Sequence, residues 1–222
     1  MIDLISDNYS LLQVMSRFGL SLGFGDKTVK EVCELNRVDC RTFLIVVNFM
    51  AEGFSRLDGS NDEISIPALI DYLRQAHLYF LDFCFPAIRR KLIEAIDCSQ
   101  DDVAFLILKF FDEYTREVRK HMDYEEKTVF KYVDALLLGN APKNYQISTF
   151  SKHHDQVGEK LTELKNIIIK YCPAKTNVNQ LNATLFDIYA CEEGLESHCK
   201  VEDYIFVPAI LNLERRIKKN EK

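Results

Sequence analysis

The sequence predicts an all-α protein: an up-down four-helix bundle preceded by a small helical subdomain. Three observations lead there. Apolar residues recur at helical spacing through long stretches from about residue 66 to 217. Two of these stretches carry the same polar pattern, His-x-x-x-Glu, at His121 with Glu125 and at His198 with Glu202. A lone histidine precedes each pattern by 44 residues, His77 before His121 and His154 before His198. The unit therefore repeats with a period of 77 residues, as one helical hairpin used twice would. Two hairpins make a bundle with four histidines and two glutamates pointing inward.

Composition bounds the rest. A chain of 222 residues fits one large domain, or one domain and a small one. With 47% hydrophobic and 28% charged residues it has ample material for a core. The net charge of −6 speaks against nucleic-acid binding, which leaves a basic footprint. No apolar run approaches a membrane span; Phe43 to Val47 and Val103 to Leu108 are core-sized. Asp3 and Asp7 stand where a secretory signal would be basic, so the expected location is the cytoplasm. The seven cysteines include no C-x-x-C pair and are expected to be small buried hydrophobes in a reducing compartment. No hydrolase or transferase motif stands out.

The first domain is expected over 1–58 and the bundle over 59–222. In the first, Leu11, Leu12, Met15 and Phe18 share a helical spacing that Gly19 interrupts. Asp26 or Thr28 can cap a helix over Val29 to Leu35, and Asp39 one over Arg41 to Glu52, ended by Gly53. The stretch from Ser55 to Asp62 is turn-rich and reads as a linker.

The first bundle helix should run from Ile66 to Ala95, with Pro67 in its first turn. Leu69, Ile70, Leu73, Ala76, Phe80 and Leu81 place His77 on the buried stripe. Pro86 should kink or split this helix, since it lacks an N–H and crowds the preceding turn. The second helix should start after Ser99 and stop at Gly139, with Val103, Leu106, Phe110, Tyr114 and Val118 inward. His121 and Glu125 continue that stripe, which turns polar where a core would stay apolar and so needs partners or a metal.

The third helix should span Ile147 to Tyr171. Val157, Leu161, Leu164 and Ile168 select His154 over its neighbour His153 for the inner face, leaving His153 at the rim or surface. The fourth should span Asn179 to Ile217, with Leu181, Leu185, Ile188, Leu195, His198, Glu202 and Ile205 inside. Positions i and i+4 lie one turn apart on one helix face, so each His-x-x-x-Glu offers an imidazole and a carboxylate in one direction. Cys199 faces about 100° away from His198 and is not expected to be a ligand.

Imidazole and carboxylate together suit first-row metals of intermediate hardness. Six such side chains, His77, His121, Glu125, His154, His198 and Glu202, exceed a tetrahedral structural zinc site. They suit two octahedral ions, each with two histidines, bridged by the glutamates and by solvent or oxo. Two irons are the expected cofactor, with manganese or zinc as alternatives. The Glu-x-x-His motif of ferritin-class di-iron bundles is absent. A His-rich site of this kind favours binding or redox handling of a small molecule over iron storage.

Residues 66 to about 213 resemble the hemerythrin-like domain, and within it the di-iron proteins called repair of iron centres. The resemblance rests on His77, on His121-Met122-x-x-Glu125-Glu126 with Val129-Phe130, on His154-Asp155-Gln156-Val157-Gly158, and on His198-x-x-x-Glu202 with Phe206-Val207-Pro208. It implies two histidines per iron and bridging by Glu125 and Glu202, with Glu117 near the site. It also implies iron donation to, or repair of, damaged iron–sulfur clusters under oxidative or nitrosative stress, with iron–sulfur proteins as partners. The alternative it implies is binding or sensing of dioxygen or nitric oxide. The segment Phe18 to Gly25 is similar to that family's short N-terminal motif, but Gly23 and Phe24 stand in place of its adjacent cysteines. Gly158 replaces the second histidine that oxygen-carrying hemerythrins use on the third helix, whereas Asp203 does match their fourth-helix aspartate. Glu202 is preferred to Asp203, because i+4 stays closer to His198 than i+5 does.

Overall fold

The computed structural model describes residues 1–52, 64–96, 102–140, 142, 145–152, 157–172 and 177–220; the side chains of 52, 151, 152, 157–159 and 220 are outside that description. All regular structure among these residues is helical. The expected division near residue 58, the linker, Gly53 and the Ser99 cap lie outside the described residues, as do His153 and His154.

The chain opens with α1 (Ile2–Asp7), α2 (Leu11–Arg17), α3 (Val29–Leu35) and α4 (Cys40–Glu52). The short α1 has no counterpart in the sequence reading; it carries no buried residue and so leaves no apolar stripe. Gly19, at φ +72°, ends α2 in a left-handed turn that only a missing Cβ makes inexpensive. Thr28 caps α3 in a reciprocal pair with Glu31. Asp39 caps α4, its Oδ1 accepting from Thr42 N–H at 2.7 Å.

The first long run is α5 (Ile66–Leu78), a π turn (Tyr79–Cys84) and α6 (Phe85–Ala95). The break expected at Pro86 is a change of helical register in the residues before it. Phe85 N–H reaches back five residues to the Phe80 carbonyl. The next carbonyl in that register, Leu81, would need an N–H that Pro86 lacks. Arg119 supplies the donor instead, its Nη2 lying 3.2 Å from the Leu81 oxygen.

The second run is α7 (Asp102–Tyr124), a π turn (Glu125–Val129) and α8 (Phe130–Leu137). It ends where expected: Gly139 is left-handed and Asn140 N–H bonds the Ala135 carbonyl at 2.9 Å. The inner stripe of α7 corrects the expectation by one residue. Ala104, Ile107, Phe111, Tyr114 and Val118 are buried, whereas Leu106 is 56% exposed. From Val103 to Phe111 the helix is apolar almost all round, so periodicity alone does not choose a face.

A 3₁₀ segment (Ile147–Lys152) precedes α9 (Val157–Tyr171). The last run is α10 (Val178–Val201), a third π turn (Glu202–Phe206) and α11 (Val207–Asn220). Leu161, Leu164 and Ile168 are buried, as are Ile188, Leu195 and Ile205.

Contacts group the chain into two compact units. One joins Met1–Ala76, Val129–Ser151 and Lys200–Lys222. Its core includes Phe18 against Phe43 and Tyr72, Phe130 edge-on to Phe206, and Phe49 beside Tyr204. Buried Glu214 accepts from Tyr132 O–H at 2.6 Å and from Ile147 N–H at 3.0 Å, which ties the 3₁₀ segment to the last helix. The other unit joins His77–Thr128 and Lys152–Cys199. Phe85 packs edge-on to Phe111 and Tyr114 there, and Arg89 grips Asp112 through two bonds of 2.7 and 3.0 Å. None of the described cysteines forms a disulfide; Cys33, Cys84 and Cys191 are buried, while Cys40, Cys172 and Cys199 are partly so. No described helix is long and apolar enough to cross a membrane.

Candidate metal centre

His77 lies in the last turn of α5, where its neighbours on the stripe are core residues, and it is 3% exposed. His121 lies in the last turn of α7 and Glu125 opens the π turn that follows. Glu125 is fully buried and held between two imidazoles. Its Oε2 lies 2.8 Å from His77 Nε2 and its Oε1 lies 2.8 Å from His121 Nε2. His198, on α10, is 2% exposed and its ring stands edge-on to His77 at 5.2 Å between centroids. Phe80 closes the apolar side, 6.0 Å from the His198 ring.

His77, Glu125 and His198 each offer a ligand atom within 4.8 Å of the others. Glu202 follows His198 by four residues on the same helical run, is fully buried, and is the fourth member of the group able to hold a cation. His121 touches Glu125 from a more open position, with 18% of its side chain exposed. Of the six residues singled out by sequence, His77, His121, Glu125, His198 and Glu202 are described, and His154 lies outside the described residues.

A fully buried carboxylate is costly unless its charge is compensated. Burial works against the charge of Glu125, yet the bonds to His121 and His77 hold its carboxyl far below the usual carboxylate range. Burial likewise works against a charged His77, and the bonds to Glu125 and Glu126 outweigh it, so the ring holds its proton above its ordinary range. Nitrogen and oxygen donors, no thiolate among them, converging in a buried space are the donor set of a first-row divalent or trivalent cation. The residues present fit such an ion.

Two further residues bear on the centre. Glu117, expected nearby, instead faces outward and pairs with Lys160 on α9. Glu126 was not singled out by sequence reasoning, yet its Oε1 lies 3.0 Å from His77 Nδ1. The doubled Glu125-Glu126 was visible, but nothing local says that a histidine 49 residues away sits against the second carboxylate.

Comparison with known families fits this geometry: the Hemerythrin HHE cation binding domain matches residues 68–210. Among curated proteins no sequence is similar enough to count as a relative.

Proposed function

The chain belongs to the hemerythrin HHE cation-binding family, and on that premise we propose that it is a non-haem di-iron protein of the oxidative and nitrosative stress response. It donates iron to, or repairs, damaged iron–sulfur clusters in the cytoplasm. The single observation that carries the metal part is the buried set of His77, Glu125, His198 and Glu202, with the partly exposed His121 against Glu125, which joins imidazoles to carboxylates without a thiolate. His77, His121, His154 and His198 would be the imidazole ligands of the iron, and Glu125 and Glu202 its carboxylate ligands. His154 enters by its place in the 77-residue repeat. The repair part rests on the sequence resemblance.

When bound, an iron pair supplies reversible one-electron chemistry and open positions for a small ligand. The chain's own residues do the rest. Glu125 orients two imidazoles and offsets cationic charge inside the protein. His77 must give up a tightly held proton to bind metal, so uptake is linked to pH. Phe80 packs against the buried His198 ring.

A second reading is binding or sensing of dioxygen or nitric oxide. The replacement of the paired cysteines by Gly23 and Phe24 favours it, since thiol chemistry is then absent from that motif. One series of experiments separates the two. Protein purified without added metal should contain about two irons per chain, and the iron-loaded protein should reactivate a dehydratase whose cluster was destroyed by nitric oxide. Loaded protein that binds nitric oxide reversibly, keeps its iron and fails to reactivate the enzyme supports sensing instead. Zinc alone, or no metal, overturns the di-iron reading.

A further inference from the structure

We propose that Glu126 is a positioning residue for His77, holding the ring in the one tautomer and orientation that turns Nε2 toward the cation. This rests on the reading of the cluster as a cation site.

The His77 side chain is only 4% exposed and both of its ring nitrogens face a carboxylate, Nε2 facing Glu125 at 2.8 Å and Nδ1 facing Glu126 at 3.0 Å. A neutral imidazole has one lone pair to give and one N–H to place. The two nitrogens are not equivalent here. On the Nε2 side lies Glu125, itself fully buried, bonded to His121 and within the group that also contains His198. On the Nδ1 side lies Glu126, whose side chain is 35% exposed and which is outside that group. Nε2 is therefore the donor to the cation, and Nδ1–H donates to Glu126.

The contact joins α5 to the π turn that follows α7, so it is made by packing and not by one helix. It leaves the ring little freedom to rotate away when a cation enters. A carboxylate acceptor on the far nitrogen also makes the imidazole a stronger donor. Adjacent glutamates thus divide the work on one ring: Glu125 faces the nitrogen that binds, and Glu126 faces the nitrogen that carries the proton.

The test uses the full chain stripped of metal and titrated anaerobically with cobalt(II) against a competing chelator, reading the visible bands of bound cobalt. Glu126→Ala removes the acceptor, and Glu126→Gln keeps an acceptor without charge. Glu126→Ala is expected to bind cobalt about 10- to 100-fold more weakly with shifted bands, as loss of such an outer partner generally does. Glu126→Gln is expected to fall between it and the wild type. In the zinc-loaded wild type, long-range ¹H–¹⁵N spectra should show the His77 proton on Nδ1. The metal-free variants should keep wild-type helicity and lose far less stability than cobalt affinity. Wild-type affinity and bands in both variants overturn the role of Glu126, as does a weakening matched by equal destabilisation of the metal-free fold. If Glu126→Ala does not fold, the Glu126→Gln spectra and the wild-type tautomer decide alone. Wild-type protein that binds no cobalt, zinc or iron overturns the cation reading itself, a result visible before any variant is made.

Discussion

At the scale of single residues, Glu125 is the centre of the arrangement. It is a fully buried carboxylate whose two oxygens each meet an imidazole. Glu125→Ala should abolish metal retention. In the metal-free protein it should also cost about 1–3 kcal/mol in urea unfolding, because buried His77 and partly exposed His121 lose the carboxylate that faces them. Ionisation gives a second expectation. His77 holds its proton above the ordinary imidazole range, so its contribution to metal-free stability is complete below pH 6.5 and fades as pH rises through the raised value. Glu125 ionises below the ordinary range, so its contribution is present above about pH 4.5 and is lost as pH falls through the lowered value. Metal-free protein should therefore be most stable in the mildly acidic range between those limits, as urea midpoints against pH would show. Metal binding should strengthen as pH rises and release a proton, which calorimetry in buffers of different ionisation enthalpy would detect.

At the scale of elements, the π turns are the recurring device. Each sits beside a residue of the candidate centre: one begins two residues after His77, and the others begin at Glu125 and Glu202. A π turn inserts one residue into the helix, and such bulges gather at functional sites. Beyond the Glu125 turn the buried face continues as Phe130, Val133 and Leu136, and beyond the Glu202 turn as Val207, Ala209 and Ile210. The extra residue lets a helix present ligands at one level and still meet the core at the next. Deleting Lys127, an exposed residue inside the second turn, should restore α-helical register and rotate that core face by about 100° against His121 and Glu125. Metal content should fall and the melting transition broaden. Lys127→Ala keeps the register and loses only an exposed pair with Asp123, so it should change stability by less than about 1 kcal/mol.

At the scale of the whole molecule, the N-terminal helices belong to a unit that also holds parts of the family domain. Phe18 meets Tyr72, Arg17 donates to the Tyr72 hydroxyl at 3.2 Å, Phe49 meets Tyr204, and Ser65 N–H reaches Thr42 Oγ1 at 2.9 Å. A fragment of residues 59–222 should therefore expose Tyr72, melt at a lower temperature than the full chain and associate at high concentration. Light scattering and thermal melts of the two forms would check this.

The sequence by itself determined the main helices, the cap at Asp39 and a choice of Asp26 or Thr28 for α3, the stops at Gly19 and Gly139, and the spacing of the histidines and glutamates. These are local properties, since a helix of 3.6 residues per turn fixes which side chains share a face. Tertiary structure alone decided three things. It chose the Ala104–Ile107–Phe111 face of α7, because a stretch apolar almost all round, as Val103 to Phe111 is, offers no preferred side until something packs on it. It turned Glu117 outward to Lys160. And it set Glu126 against His77 across 49 residues, a contact that exists only because two helices lie side by side. Periodicity states what one helix can present; only packing decides what meets it.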